Sequence, residues 1–249
     1  MPYVKLGMAK GDLTTLTMKR MRALKREAAP GILDASSHRR LREKGLNDVE
    51  IRKSFHEKKL RRYHEAPDTL VVDELGLRHG ACRADIAVIN GRLLGYEIKS
   101  DSDRLTRLPA QIPVYNAVFD RIAIIAGARH ISEVRRVVPG WWGIILSQRS
   151  VRGGVRFITE RRSSTNPEID LLSVAKLLWR SEAIQILREK GEEGKTLAAP
   201  RRVLYARLVK ALPGDELRSK VRLFLRGRTN WRCRPQLSQC DDLSRPIAR

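Results

Sequence analysis

Apolar positions change their period twice along this chain of 249 residues. Near the start, Leu13, Leu16, Met21 and Leu24 have loose helical spacing, and Pro30-Gly31 closes that segment. Asn47 or Asp48 can cap a helix running to about Tyr63, with Ile51, Phe55 and Leu60 as its apolar side. Pro67-Asp68 then launches a strand, Thr69 to Val72, ending at Asp73-Glu74. The run from Arg83 to Lys99, RADIAVINGRLLGYEIK, reads as a β-hairpin. A helix is expected from near Pro109, with Pro113 close to its first turn, followed by a buried strand at Arg121 to Ala126. A helix at Ile131 to Val137 and a strand at Trp141 to Leu146 complete an α/β pattern with a mixed sheet. Arg149 to Gly154 is polar and contains glycine, and beyond it the chain reads as helical. Leu171, Leu172, Ala175 and Leu178 form one apolar stripe, and Ile184, Ile186 and Leu187 another. Two more helices are expected at Arg201 to Leu212 and Asp215 to Leu225. The expected organisation is therefore a basic arm or accessory helix over 1–37, an α/β core over 38–150, a helical basic region over 151–232 and a disordered tail over 233–249.

Charge narrows the function. Lys and Arg number 50 against 28 Asp and Glu, a net +22. Such a field attracts polyanions, and nucleic acid is the partner it points to first. A membrane partner is not expected. No apolar run approaches the ~20 residues of a span, and no helix pairs a basic face with Trp or Phe. The three cysteines, Cys82, Cys233 and Cys240, show no CxxC pair and read as free thiols of a reducing, cytoplasmic compartment. The five histidines have no zinc-ligand spacing. Gly191 to Thr196 imitates the end of a phosphate-binding loop, but Glu189 stands where its first glycine belongs and no strand precedes it.

The candidate chemistry lies in the hairpin. Asp85, Glu97 and Lys99 interrupt otherwise apolar strands. A charge there costs several kcal/mol (~3 or more) unless it is paired, solvated or metal-bound. Two carboxylates can hold Mg²⁺, and a neighbouring ammonium can stabilise charge on a phosphate. Metal-assisted phosphodiester hydrolysis uses this set.

At these residues the chain resembles the PD-(D/E)XK, or restriction-endonuclease-like, phosphodiesterases. Asp85 matches the motif aspartate, Glu97-Ile98-Lys99 its E-x-K, and Ala84 replaces its proline. Gln111 and Tyr115 match the Q-x-x-x-Y element of RecB-type members, and GYEIKSDSDRLTRLPAQIPVYNAVFD resembles a small bacterial family of predicted nucleases. The likeness covers about Asp68 to Ser147. It implies a restriction-endonuclease-like sheet flanked by helices, Mg²⁺ or Mn²⁺ held by Asp85 and Glu97 with an Ile98 carbonyl as a further ligand, and Lys99 assisting the attacking water. Gln111 and Tyr115 would position the scissile strand. Glu74, or a glutamate of the first core helix (Glu50, Glu57 or Glu65), is a candidate to complete the metal set. It implies DNA as substrate, and action in the bacterial cytoplasm at the nucleoid. The alternative is a non-catalytic nucleic-acid-binding protein on the same fold.

Two structural expectations follow. Arg83 is a phosphate-contact candidate, as are Arg218, Arg222 and Arg226, which repeat every four residues beside the apolar face of the last helix. The hairpin needs an odd-length loop, because a two-residue turn at Asn90-Gly91 would put Asp85 and Glu97 on opposite faces. A loop Ile89-Asn90-Gly91 with Gly91 left-handed would pair Val88 with Arg92. Asp85 would then lie opposite Gly95, whose missing side chain would leave room for a metal and a phosphate.

Overall fold

The computed structural model describes residues 45–151, 153–229 and 231. The expected arm at 1–37, the opening residues of the expected core, the tail at 233–249 and the cysteines Cys233 and Cys240 lie outside the described residues. Helix α1, Asp48–Lys58, begins at a reciprocal cap: the Glu50 N–H donates to Asn47 Oδ1 and the Asn47 N–H donates to Glu50 Oε2. It ends earlier than its pattern suggests. The amides of Lys59 and Leu60 both donate to the Phe55 carbonyl, and a short helix α2, Arg61–Glu65, restarts the chain. Ile51, Phe55 and Leu60 are buried as expected.

Six strands form one sheet in the order β1-β2-β3-β4-β5-β6. They are β1 Leu70–Leu77, β2 Cys82–Ile89, β3 Leu93–Lys99, β4 Arg121–Gly127, β5 Gly143–Arg149 and β6 Val155–Arg161. β1, β2 and β3 are antiparallel, β3, β4 and β5 are parallel, and β6 returns antiparallel to β5. The parallel pairs require crossovers, supplied by α3, Leu108–Asn116, and α4, Ile131–Val137. The α/β class with a mixed sheet, flanking helices and a helical C-terminal region is what the structure has. Pro113 falls in the second turn of α3 rather than its first.

The sixth strand departs from the expected pattern. Gly153 and Gly154 both adopt positive φ and turn β5 into β6, so the division expected after residue 150 falls inside a β-hairpin. Its signal was the alternation in Val155-Arg156-Phe157 behind two glycines. Beyond it come α5 Leu171–Ala175, α6 Arg180–Glu189, α7 Arg201–Ala211 and α8 Gly214–Gly227. These helices share one apolar core with the sheet: Leu204, Leu208, Leu217 and Val221 belong to the same cluster as Ile124, Ile144 and Trp142. The other sheet face packs Ile86, Val88, Ile98 and Ile125 against Ile51 and Phe55 of α1. Among the described residues no helix is long and apolar enough to cross a membrane.

Candidate active site

The hairpin register decides which polar groups meet. Ile89 pairs with Leu93 and Ile86 with Tyr96. The loop is therefore three residues long, Asn90-Gly91-Arg92, one position later than expected. Asn90 sets this register: its Oδ1 accepts from the Arg92 N–H at 2.9 Å. Gly91 is not left-handed. The odd loop keeps Asp85 and Glu97 in one row, directly across from each other rather than offset by Gly95. Gly95 has a different task. A Cβ there would come within 2.8 Å of the Phe119 ring, so its bareness seats an aromatic, not a metal.

Pairing on both sides of β2 lapses at Asp85. The β2–β3 pairing stops at Ile86–Tyr96, and the β1–β2 pairing skips from Asp73–Ile86 to Leu75–Ala84. The skipped residue of β1, Glu74, has φ +59°. Val72 and Leu75 consequently both face the core that holds Tyr115, as do Ala84 and Ala87, while Ile86 and Val88 face α1. Glu74, Asp85 and Glu97 thus stand in one row across three strands, at a local break in the sheet.

Glu97 is 2% exposed and has gathered donors. Its Oε1 accepts from Lys99 Nζ at 2.6 Å and from Gln111 Nε2 at 3.0 Å. The Tyr115 hydroxyl lies 2.5 Å from Glu97 Oε2 and 2.7 Å from the Arg83 carbonyl oxygen, so its one proton serves one of them at a time. Burial first and the Glu97 carboxylate second push the pKa of the Tyr115 phenol well above its ordinary value, which keeps it a donor. The i, i+4 spacing of Gln111 and Tyr115 on α3 brings both to this carboxylate, as expected. Gln111 Oε1 is buried without a partner.

Asp85 reaches sideways into the gap between β2 and β3. The Ile98 N–H donates to its Oδ2 at 2.7 Å, and Arg52 Nη2 donates to its Oδ1 at 3.1 Å. Ile98 therefore enters the site through its amide. Burial first and Glu97 second push the Asp85 carboxyl up to about 7, against the pull of the Ile98 amide and Arg52. A raised folded value means stability is present below the ordinary value of 3.8 and lost as pH rises through about 7. Metal-free protein is expected to lose stability over that window in urea melts, and Asp85→Asn should flatten the slope. An unchanged slope in Asp85→Asn would assign the pH dependence elsewhere.

Arg52 is the site residue the sequence reading missed. It is 7% exposed, and it contacts Asp48, Asp73, Glu74 and Asp85. The first core helix, whose glutamates were only candidates for the metal set, delivers a cation. Glu50 pairs with Arg149 and Glu65 with Arg61, and Glu57 is exposed. The available signal was position: Arg52 sits between Ile51 and Phe55 on the buried arc of α1. Glu74 turns to Arg52 at 3.4 Å, and among the described residues no three His, Cys, Asp or Glu converge on a metal position. The carboxylate pair is thus Asp85 and Glu97 alone. A second polar chain runs beside it, with His56 Nε2 2.9 Å from Asp73 Oδ1 and His56 Nδ1 2.9 Å from His64 Nε2.

A family model described as Bacteriophage P4 protein cII matches residues 32–243. The chain belongs to the P4 cII family. Over 124 residues it is 29% identical to Protein cII of Enterobacteria phage P4, covering 50% of this chain and 47% of that protein. The chain therefore spans about half the length of the curated relative it matches. No solved structure matches it. Membership of the P4 cII family states no chemistry, so the site has to be read from its own geometry.

The family match extends over α8, where three expected phosphate contacts have other duties. Arg218 pairs with Asp120 at 3.2 Å and with Asp215 at 2.7 Å, Arg222 lies 3.9 Å from Asp120, and Arg226 donates to the Asp68 carbonyl at 2.7 Å. Asp120 also accepts the Leu93 N–H. These arginines fasten α8 to the end of the sheet where β3 and β4 begin. Lys99 is six residues away along β3, about 20 Å at the usual rise. They face carboxylates because α8 lays Leu217, Val221 and Leu225 into the core, which turns the next positions toward Asp120. Arg83 is different: it is exposed, at the end of the sheet that carries Glu97 and Lys99.

Proposed function

We propose that this protein is a metal-dependent nuclease of the PD-(D/E)XK type that hydrolyses phosphodiester bonds in nucleic acid, with DNA as substrate and the bacterial cytoplasm, at the nucleoid, as its place of action. The observation that carries the reading is the buried Glu97 carboxylate, held by Lys99, Gln111 and Tyr115 in one row with Asp85. Two nearly adjacent carboxylates, one pushed up to about 7 partly by the other, make a pair that a divalent cation relieves. Gln111 Oε1, buried and without a partner, adds an oxygen that such a site can use. Mg²⁺ commonly takes only one or two protein carboxylates and completes its shell with water and phosphate, so Asp85 and Glu97 suffice.

A metal held there supplies charge neutralisation at the phosphate and a more acidic water. The chain's own residues supply the rest. Lys99 Nζ, fixed by Glu97, presents a positive charge to the phosphate and orients the attacking water. Tyr115 and Gln111 hold the Glu97 carboxylate in one orientation. Arg52 and the Ile98 amide do the same for Asp85. The substrate would approach over the sheet end that carries Lys99. Arg78, Arg83, Arg104 and Arg107 are exposed on the segments at that end, and among the described residues none has a carboxylate partner. Changing these four to alanine is expected to weaken binding to all sequences alike. It should also flatten the plot of log affinity against log salt by roughly one unit per lost phosphate contact. An unaltered slope would place the phosphate path elsewhere.

One observation favours a second reading, non-catalytic nucleic-acid binding. The Asp85 and Glu97 oxygens already have protein donors, and the Asp85 partner is a cation. Cleavage assays on single-stranded, duplex and branched DNA, with and without Mn²⁺, separate the two. Metal-dependent products support the nuclease, and binding with no products on any substrate supports the alternative.

A further inference from the structure

The helical region carries a surface feature that the candidate active site does not use. A groove of about 560 Å³ lies between the start of α6 and the end of α8, lined by Trp179, Ser181, Glu182, Leu223, Phe224 and Arg228 among others. Trp179 is 53% exposed and Leu223 56% exposed, the largest exposed aromatic and aliphatic side chains of this region. Trp179 is nonetheless held in place. The Arg228 guanidinium lies 4.3 Å from the Trp179 ring centroid and 5.3 Å from that of Trp231. Arg228 is in turn fixed by Glu182 at 2.6 Å and by the Leu177 carbonyl at 2.8 Å. The result is a rigid indole plane, backed by a cation and open to solvent.

Charge says what such a plane fits. The acid lining the groove, Glu182, is neutralised by Arg228. Arg180, next to Trp179 in sequence, donates only to backbone carbonyls, and among the described residues no carboxylate contacts it. The whole chain carries +22. A flat apolar face with cations at its edge, on a strongly basic protein, matches a ligand that is flat and apolar in one part and anionic in the next. We propose that the Trp179 groove is a stacking site for an unpaired nucleobase of single-stranded nucleic acid, with an adjoining phosphate at Arg180. Bases inside a duplex are already stacked and cannot enter, so the groove selects unpaired strands. This inference does not depend on catalysis at Asp85 and Glu97.

The test uses the full chain in chelator, so that no strand is cut. Binding of oligothymidylate, of an abasic oligonucleotide of equal length and of a duplex is measured by fluorescence anisotropy. Trp179→Ala is expected to weaken oligothymidylate binding about tenfold or more, the usual cost of one lost base–aromatic stack, and to leave abasic and duplex binding unchanged. Trp179→Phe should retain most of the affinity. Oligothymidylate, but not the abasic strand, should quench the intrinsic fluorescence of the unaltered protein, and Trp179→Phe should remove that difference. Equal losses on base-bearing and abasic strands, or none on either, would overturn the proposal. So would oligothymidylate binding that persists in Trp179→Ala while self-association disappears, since the groove would then be a contact between copies.

Discussion

Glu97→Gln is expected to reduce metal-dependent cleavage by on the order of 10²- to 10³-fold, the scale on which a single preorganised electrostatic group acts in a water-poor site. The substitution keeps the shape of the side chain and leaves an oxygen for Lys99 Nζ, so the fold should survive, as far-UV circular dichroism would report. Affinity for the nucleic acid should stay within a fewfold of its starting value, because phosphate contacts elsewhere dominate it. Calorimetric binding of Mn²⁺ should weaken in parallel with cleavage. Tyr115→Phe is a graded control. It leaves both Glu97 oxygens but removes the hydroxyl that orients one of them, and a loss of about 10- to 100-fold is expected. Full activity in Glu97→Gln, or in excess chelator, would end the nuclease reading, whatever happened at the Trp179 groove.

Arg52→Ala should cost the fold more than any other single change at the site. The guanidinium is buried, and it is the cation that Asp48, Asp73, Glu74 and Asp85 share. Removing one side of a buried ion pair leaves the other side desolvated and unpaired, at a cost of about 3–5 kcal/mol. The sign of its pH dependence follows from the same cause. Without Arg52 the Asp85 carboxyl loses a neighbour that favours ionisation, so its folded-state pKa rises further. Stability tied to a raised carboxyl is present at low pH and lost as pH rises. The deficit relative to the unaltered protein should therefore be larger at pH 8 than at pH 5. Urea midpoints at the two values measure it. Arg52→Lys should recover part of the loss, since an ammonium restores the charge but not the fork that reaches several carboxylates. A deficit independent of pH would mean that Arg52 acts through packing alone.

The α/β class was legible because short buried strands and amphipathic helices have different periods, and that difference is written in the order of residues. Glu97 and Lys99 could be named as charges inside apolar strands, and Gln111 and Tyr115 through their resemblance to the Q-x-x-x-Y element. Their spacing of two on a strand and four on a helix fixes which of them share a face wherever the elements lie. The need for an odd hairpin loop was also decided by parity alone. Its position was not, because Asn90 chooses between neighbouring registers with a side-chain hydrogen bond worth only about 1 kcal/mol. Only the tertiary structure decided the rest. Arg52 lies 33 residues from Asp85, and nothing local distinguishes it from a surface arginine until α1 is laid against the sheet. Arg218, Arg222 and Arg226 have the regular spacing of a phosphate-binding face. They become clasps to Asp120 and Asp68 because α8 docks with its apolar side in a core shared with the sheet. Periodicity fixes the faces of an element, but what each face meets depends on long-range packing, which no window along the chain contains.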